Sequence, residues 1–221
     1  PCIKSAKRTR PSKRRRLYGD KLNGAPAAIN RKDKPQSAGI GSEKMIFTRA
    51  EAADLLEISS LYDAVCDDLC AHENYPGWKK GVYPTVDDAR AGIKDGALYV
   101  IKNDAKIVGT VLLRHRPEEG YENAGWLTES SYDKIYVIYT LAVHPDFTGF
   151  GIGKMMLDQA EKLAEKEGCR SIRLDVVKGN IPAESLYKKC GYKYVGTVSL
   201  GYEKYGLPWY NLYEKVLREP G

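Results

Sequence analysis

The hydrophobic pattern of the chain centres on one continuous apolar run. Nearly every residue of the stretch 135–143 is aliphatic, aromatic or β-branched, which is typical of a strand buried on both faces near the middle of a sheet. Pro145 ends this run, and Gly149, Gly151 and Gly153 follow at alternate positions. The pattern therefore predicts a central strand that leads into a glycine-rich turn.

An amphipathic helix is predicted immediately after this turn. Its apolar stripe consists of Ile152, Met156, Ala160, Leu163 and Ala164, with Asp, Glu and Lys side chains between them. Gly168 marks its C-terminal end. Unpaired N–H groups at the start of a helix, together with the helix dipole, favour a bound phosphate group. A glycine-rich strand–helix turn without a ligand is the simpler alternative.

Apolar periodicity upstream of the central run predicts three further strands and two helices. They are a strand at 45–47, a helix with the stripe Leu55, Ile58, Tyr62, Val65 and Leu69, a helix from Thr85 to Gly96, and a hairpin of strands 97–101 and 106–113. Thr48 and Glu51 have the spacing of a capping box before the first helix. Asn103 and Asp104 favour the hairpin turn.

Downstream of the central helix the pattern predicts three more strands and a short helix. These are a strand at 171–177, a helix at about 181–189 with Pro182 in its first turn, and antiparallel strands at 192–198 and 209–217. Residues 114–133 lack strong periodicity and are predicted to form a loop.

The composition favours one globular core with a tail. The chain has 221 residues, 43% of them hydrophobic, and it contains neither an apolar run of about 20 residues nor the apolar segment of a signal peptide. Its odd number of cysteines suits a reducing compartment: Cys2, Cys66, Cys70, Cys169 and Cys190. A soluble cytoplasmic protein is expected. Cys66, Cys70 and His72 suggest a metal site only weakly, so we expect core thiols and no metal.

The first 44 residues form a basic extension. They carry thirteen Lys and Arg against three acidic residues, a net charge of +10, which leaves −4 for the remainder. Their low apolar content predicts disorder, and the cluster 13–16 is compatible with contact to nucleic acid. The chain begins with Pro, and Met45 precedes the first strand. A vector-derived or upstream translated stretch is therefore weighed equally with a native arm. The predicted organisation is residues 1–44 as extension and 45–221 as domain.

Two short motifs on either side of the glycine turn resemble the GNAT superfamily of N-acetyltransferases. They are Leu141-Ala142-Val143-His144-Pro145 before the turn, and Asn180, Ala183 and the run Leu186–Tyr192 after the next strand. The resemblance covers about residues 45–217. It implies an α/β (α+β) fold with a mixed, mostly antiparallel central sheet flanked by helices, whose strands splay around an acetyl-CoA cleft.

The resemblance also implies the residues that bind and use acetyl-CoA. Cofactor contacts are expected from Leu141, Val143, Thr148, Gly149, Phe150, Gly151, Ile152, Gly153, Lys154 and Asn180. Tyr187 matches the tyrosine that protonates the leaving thiolate, with a packed aromatic ring as the alternative. Thr148 stands where relatives often carry Arg or Gln, so the resemblance implies either a lower affinity for acetyl-CoA or a greater reliance on Lys154. In this fold the first helix and the loop after it line the acceptor site, which implicates Trp78 and Tyr83. Tyr139 of the central strand is also expected to contact the acceptor.

The group that deprotonates the acceptor is left open by the sequence. Many relatives carry a Glu on the central strand, but residues 134–143 contain no carboxylate. The candidates are His72, Glu73, Glu129, Asp133, Tyr136, Tyr139 and water. An ordinary alkylammonium, with a pKa near ~10.4, must lose a proton before it can attack a thioester.

These observations predict an acetyl-CoA-dependent transferase that acetylates a primary amine of a small molecule or peptide. The alternative is an idle acyl-CoA-binding module that its basic arm tethers to nucleic acid or to an acidic partner. The expected partners are acetyl-CoA and the amine acceptor, without a membrane, and with nucleic acid only through the extension. A homodimer is left open.

Overall fold

The computed structural model describes residues 45–217, which contain seven β-strands and four α-helices. In chain order these are β1 (Ile46–Arg49), α1 (Leu55–Ala71), α2 (Val86–Lys94), β2 (Leu98–Asn103), β3 (Lys106–Arg114), β4 (Ile135–Val143), α3 (Ile152–Lys166), β5 (Ser171–Val177), α4 (Ile181–Lys189), β6 (Lys193–Val198) and β7 (Tyr210–Val216). The basic extension, including Cys2, and the last four residues lie outside the described part. The prediction of disorder at 1–44 therefore concerns residues that the structure does not describe.

All seven strands belong to one sheet in the order β1-β2-β3-β4-β5-β7-β6. Neighbouring strands run antiparallel except β4 and β5, which are parallel. The helix α3 provides the crossover that a parallel pair requires. The predicted mixed, mostly antiparallel sheet with flanking helices is therefore confirmed, and β4 is its middle strand, as its apolar run indicates.

The two faces of the sheet bury different helices. On one face α3 contributes Ile152, Met156 and Ala160 to a cluster that also contains residues of β2 to β5. On the other face α1 buries Ile58 and Leu61 against β2 and β3. A third cluster lies where the 115–134 segment and the residues between β6 and β7 cover β4 and β7. The α3 face and the α1 face are named below by these helices.

A glycine in β3 sets how closely α3 approaches the sheet. A Cβ atom at Gly109 would lie 2.9 Å from Ile152 Cγ2 and 3.1 Å from the Met156 side chain. Both contacts are tighter than a packed core accepts without rearrangement. The missing side chain therefore lets the first turn of α3 pack directly on β3, beside the end of β4.

The strands β4 and β5 separate halfway along their length. Their pairing runs from Ile135 with Ser171 to Ile138 with Leu174 and then ends. On its other side β4 stays paired with β3 up to Val143, through a register shift that adds one residue to β4 at Tyr139 and Thr140. An open space, called the wedge here, therefore lies between residues 139–143 of β4 and 175–177 of β5.

Two local predictions are wrong. Thr48 belongs to β1, and the reciprocal cap forms one turn later, where Asp54 accepts a hydrogen bond from the Glu51 N–H at 2.9 Å. Glu51 is thus the N-cap instead of the last residue of the box. Cys66 is buried as expected, but Cys70 is exposed, because it lies outside the buried stripe of α1.

No helix within residues 45–217 is long and apolar enough to cross a membrane. The same part of the chain contains no cluster of three or more His, Cys, Asp or Glu side chains arranged to hold a metal ion. Thr85 caps α2 as predicted, with its hydroxyl accepting from the Asp88 N–H.

Candidate active site

The wedge opens next to the start of α3. Gly151 is the N-cap residue of this helix, with φ +79°, a conformation that disfavours any side chain. A Cβ atom built there would meet no other atom within 4 Å, so the space in front of the helix is open. Gly149 also has a positive φ, of +90°. The two glycines therefore let the backbone turn sharply at the mouth of the wedge.

The backbone N–H groups of this turn divide into two sets. Thr148 N–H donates to Pro145 O at 3.1 Å and Phe150 N–H to Phe147 O at 3.4 Å, so these two serve the turn itself. The N–H groups from Gly151 to Lys154 find no acceptor among the described residues. These free donors stand at the positive end of a 15-residue helix, where an anion is stabilised.

The side chains of the predicted phosphate site play unequal parts. Ile152 is buried in the core, and Phe150 is half exposed on the surface. Lys154 Nζ lies 2.6 Å from Asp158 Oδ2, so its charge is already paired across one helical turn. A Cβ atom at Gly153 would meet Leu186 at 3.0 Å and Leu141 and Val143 at 4.0 Å. Position 153 therefore faces the wedge.

Asn180 lies at the C-terminal end of β5 and caps α4. Its side-chain oxygen accepts a hydrogen bond from Ala183 N–H at 3.3 Å. This role fixes the side chain beside the wedge and satisfies one of the first N–H groups of α4. The amide NH₂ donates to no described residue, so it is the part of Asn180 available to a ligand.

Tyr187, on α4, is buried against Tyr192 and Tyr213, with both ring centroids at 6.1 Å. Its hydroxyl makes no hydrogen bond with a described residue. Burial raises the pKa of Tyr187 well above its usual value, and the negative charge of Asp175 raises it further. The phenol is therefore protonated at neutral pH and able to donate, while its ring also serves the core.

The aromatic residues predicted for the acceptor site meet on the α1 face of the wedge. The Tyr83 hydroxyl is hydrogen bonded to Thr140 Oγ1, and Thr140 lies at the β-bulge of β4. Trp78 packs edge-on against Tyr83, with ring centroids 6.0 Å apart. Tyr139 donates from its hydroxyl to Arg116 O. Trp78 and Tyr83 thus form an aromatic pair, and Tyr139 packs against the same core cluster as Trp78.

Most of the proposed bases lie away from the wedge. Tyr136 donates to Glu167 at the C-terminal end of α3, in a separate cavity of about 400 Å³. His72 is exposed at the end of α1, and Glu129 and Asp133 are exposed in the segment before β4. Of the candidate bases named from the sequence, only Tyr139 borders the wedge. Burial raises the pKa of Tyr139, so it remains protonated and is a poor base.

A carboxylate that the sequence analysis passed over lies where the strands separate. Asp175 is the first residue of β5 beyond its last pair with β4, and it accepts a hydrogen bond from Tyr121 hydroxyl at 2.8 Å. Burial raises its pKa to about 7, and the charge of Glu118 adds to this, while the Tyr121 hydrogen bond opposes it. Four tyrosines lie close enough to Asp175 to be affected by its charge: Tyr83, Tyr121, Tyr202 and Tyr210. Together with Tyr139, which packs against the cluster that contains Tyr121 and Tyr210, they form what we call the tyrosine cleft.

Another carboxylate, fully buried, lies on the neighbouring strand. Glu214 of β7 is fully buried and pairs with Arg173 at 3.0 Å. It also accepts from the hydroxyl of Ser171 and from the N–H groups of Leu127 and Thr128. Arg173 in turn donates to Thr128 O. This network attaches the segment before β4 to the sheet.

The sequence did carry a signal for Asp175. In the strand 171–177 the apolar residues Ile172, Leu174 and Val176 alternate with polar ones, so Arg173 and Asp175 share one face. A charged pair on one face of an inner strand requires partners or a function. The candidate bases named from the sequence lie on the central strand and in the loops, and none lies on this strand.

Comparisons with known proteins agree with this geometry. A family model described as the Acetyltransferase (GNAT) family matches residues 61–192. The uncharacterized N-acetyltransferase YesJ of Bacillus subtilis (strain 168) is 30% identical over 117 residues, which are 53% of this chain and 64% of that protein. The match therefore spans slightly less than two thirds of the relative.

Solved structures share the fold at low sequence identity. A GNAT-family acetyltransferase from Streptococcus agalactiae 2603 has a TM-score of 0.67 at 21% identity, covering 79% of this chain and 96% of its own. The yncA protein of Salmonella typhimurium, solved with its cofactor acetyl-CoA, has a TM-score of 0.60 at 15% identity, covering 80% and 96%. These similarities concern the fold alone.

Proposed function

Because the chain belongs to the GNAT acetyltransferase family, we propose that it transfers the acetyl group of acetyl-CoA to a primary amine of a small molecule or a peptide. The observation that carries this proposal is the wedge between β4 and β5, which opens beside the free N–H groups that begin α3. The relative named an N-acetyltransferase and the neighbour solved with acetyl-CoA support the nitrogen acceptor and the donor.

The proposed donor site follows the wedge. The diphosphate of acetyl-CoA is placed on the N–H groups from Gly149 to Lys154, of which those from Gly151 onward are free to donate. The side of β4 that faces β5 is unpaired beyond Ile138, so the N–H and C=O groups near Leu141 and Val143 are open to an extended chain such as the pantetheine arm. Asn180 offers its amide NH₂ to the same arm.

Acetyl-CoA supplies the thioester, and the protein supplies positioning and proton transfer. Tyr187 is the proposed donor of a proton to the departing thiolate, which its raised pKa and unpaired hydroxyl support. Trp78, Tyr83 and Tyr139 are the proposed wall of the acceptor site, which favours a small or apolar amine slightly. In this proposal residues 45–221 form the enzyme, and the basic extension takes no part in catalysis.

Acetyl-CoA binding is testable with a matched pair of glycine variants. Gly151 and Gly168 have φ +79° and +74°, and a Cβ atom at either would meet nothing within 4 Å. Gly151→Leu and Gly168→Leu therefore carry the same backbone strain, but only the first places a side chain in front of the free N–H groups. We expect acetyl-CoA to add RT ln(1 + [L]/Kd) to the free energy of unfolding of the parent and of Gly168→Leu, and so to raise their Tm. The Tm of Gly151→Leu should not change.

Turnover then separates an enzyme from an idle acyl-CoA-binding module. Release of the CoA thiol is followed with an aliphatic monoamine, a diamine, an arylethylamine and a peptide α-amine as acceptors. Tyr187→Phe is expected to lower kcat by about 10²–10⁴-fold with little change in acetyl-CoA affinity, because only the proton donor is removed. Equal Tm shifts in both glycine variants contradict the donor site, and an unchanged kcat in Tyr187→Phe contradicts the role of the phenol.

A further inference from the structure

We propose that Asp175 binds the acceptor as an ammonium ion and removes its proton before the attack on the thioester. The inference rests on the proposed function, because it assigns the base of that same reaction. It also places the acceptor in the tyrosine cleft, on the side of the wedge opposite the α3 face.

The position of Asp175 in the sheet is the first argument. It follows Leu174, the last residue of β5 that pairs with β4, so its carboxylate stands at the point where the wedge begins. The residues before and after it, Leu174 and Val176, are buried on the α3 face, which leaves Asp175 on the α1 face. Tyr139 and Thr140 of β4 contact the same face.

The bonding of Asp175 is the second argument. Oδ1 accepts from Tyr121 hydroxyl at 2.8 Å, and Oδ2 has no partner among the described residues. Buried carboxylates are otherwise matched by donors, as Glu214 is on the next strand. Tyr121 is itself 1% exposed and held by Trp126, whose ring centroid lies 5.0 Å away. One oxygen is therefore fixed in place while the other remains available to a substrate.

Within residues 45–217, the charged and titratable groups that act on Asp175 include no cation, although Arg114 lies over the ring of Tyr139 at 5.6 Å. They are Tyr121 and Glu118 from the segment before β4, Tyr187 from α4, Tyr83 from the α1–α2 loop, Tyr210 from β7 and Tyr202 from the loop before it. A cleft with two carboxylates and several aromatic faces attracts a cation, through Coulomb and cation–π interactions. A protonated amine has the required charge.

The protonation balance of Asp175 suits a base. Burial and the Glu118 charge raise its pKa to about 7, so a substantial fraction is ionised at neutral pH and the carboxylate accepts a proton more readily than an exposed Asp. General bases work best with a pKa near the working pH. Tyr121 limits the rise by donating to the ionised form.

The step is balanced as follows. The ammonium gives one proton to Asp175, and the neutral nitrogen forms a bond to the thioester carbonyl carbon. As the C–S bond breaks, the thiolate takes a proton from Tyr187, which regains one from the second N–H of the former ammonium. The products are the amide, the CoA thiol and one proton that Asp175 releases to solvent.

The test is the pH dependence of kcat/KM for the acceptor, using the most active amine of the panel above. For the parent we expect kcat/KM to fall below about pH 7 as Asp175 becomes protonated. Asp175→Asn should lower kcat/KM by about 10²–10⁴-fold and abolish that acid limb. Acetyl-CoA should still raise the Tm of Asp175→Asn, which establishes that this variant is folded and binds the donor.

Two further variants move the acid limb in opposite directions. Tyr121→Phe removes the donor that stabilises the ionised form of Asp175, so the acid limb should shift to higher pH. Glu118→Gln removes a like charge, so the limb should shift to lower pH. If Asp175 had a purely structural role, neither variant would change the pH of the acid limb. Both shifts therefore test the inference even if Asp175→Asn fails to fold.

The outcomes separate this inference from the proposed function. If the parent releases no CoA thiol with any amine, the proposed function fails and the assignment of Asp175 fails with it. If the parent turns over, and Asp175→Asn keeps both its rate and its acid limb, the base is another group and the proposed function stands. If neither Tyr121→Phe nor Glu118→Gln moves the limb, Asp175 does not set it and the inference is overturned.

Discussion

Glu214 and Asp175 are two carboxylates on the same face of neighbouring strands, and they are treated in opposite ways. Glu214 is fully buried and receives hydrogen bonds from Arg173, from Ser171 and from two backbone N–H groups. Asp175 lies on β5 two residues after Arg173, the pairing partner of Glu214. It receives one hydrogen bond, from Tyr121. Both lie within a sheet that could have placed an apolar residue at either position.

The difference shows how one sheet can hold both a structural carboxylate and the carboxylate proposed here as the base. Four donors around Glu214 offset the cost of burying its charge and fix the segment 126–132 over the sheet. Asp175 lacks such compensation, and its pKa rises to about 7. A charge without full compensation lowers stability and gains the ability to exchange a proton near neutral pH.

The largest effect is expected when the supported carboxylate is changed. Glu214→Gln leaves the Arg173 guanidinium buried without its counter-charge, and breaking such a pair costs about 3–5 kcal/mol. Urea unfolding at pH 7 measures this loss. Asp67→Asn, which removes the exposed pair with Lys80, is the control and should cost no more than about 1 kcal/mol. Equal losses in the two variants would mean that the network contributes no more than a surface pair.

Asp175→Asn should raise the free energy of unfolding, whereas Glu214→Gln lowers it. The folded-state pKa of about 7 lies above the ordinary Asp value near ~3.9, so the folded protein favours the protonated form. The carboxylate is therefore tolerated below about pH 4 and progressively lowers stability as the pH rises through 7. The variant should gain stability above pH 7, by at most about 4 kcal/mol, and less because the side chain is only partly buried.

Unfolding curves of the parent and Asp175→Asn at pH 5 and pH 8.5 provide that measurement. The difference between the two proteins should be larger at pH 8.5. A difference that does not change with pH would show that Asp175 has an ordinary pKa in the folded protein, and the contrast with Glu214 would then disappear.

The smallest effects should come from removing one hydroxyl donor beside each carboxylate. Ser171→Ala takes one of four donors from Glu214, and Tyr121→Phe takes the one donor that Asp175 has among the described residues. Each should cost about 1–3 kcal/mol, the range for a hydrogen bond to a charged group. Only the cost of Tyr121→Phe should increase from pH 5 to pH 8.5, since Asp175 ionises in that interval. Parallel pH profiles for the two variants would contradict the comparison.

The sequence predicted most of the fold because its signals were local. The apolar run at 135–143, the glycines before α3 and the N-cap at Thr85 each depend on neighbouring residues, and each was confirmed. The cap at Thr48 was misplaced by one turn, because β1 pairs with β2 through Arg49. Tertiary pairing there extends the strand over residues that locally favour a cap.

The candidate site was predicted only in part, because its parts come from distant segments. Asn180 and Tyr187 follow from a short motif, and their roles stay predictions. Asp175 meets Tyr121 from 54 positions away in the chain, and nothing in the spacing of the two residues indicates that contact. The alternation of charged and apolar residues in β5 marks Asp175 as unusual, but only the fold identifies what surrounds it.

The order of the strands also constrains when the protein can finish folding. Strand β7 is the last in the described chain, but it lies between β5 and β6, and β6 pairs with no other strand among residues 45–217. During synthesis from the N-terminus, β5 therefore exposes an open edge and β6 has no neighbour until Tyr210–Val216 has left the ribosome. Asp175 and Tyr187 are translated earlier, but the sheet that positions them is completed only when β7 pairs with β5 and β6.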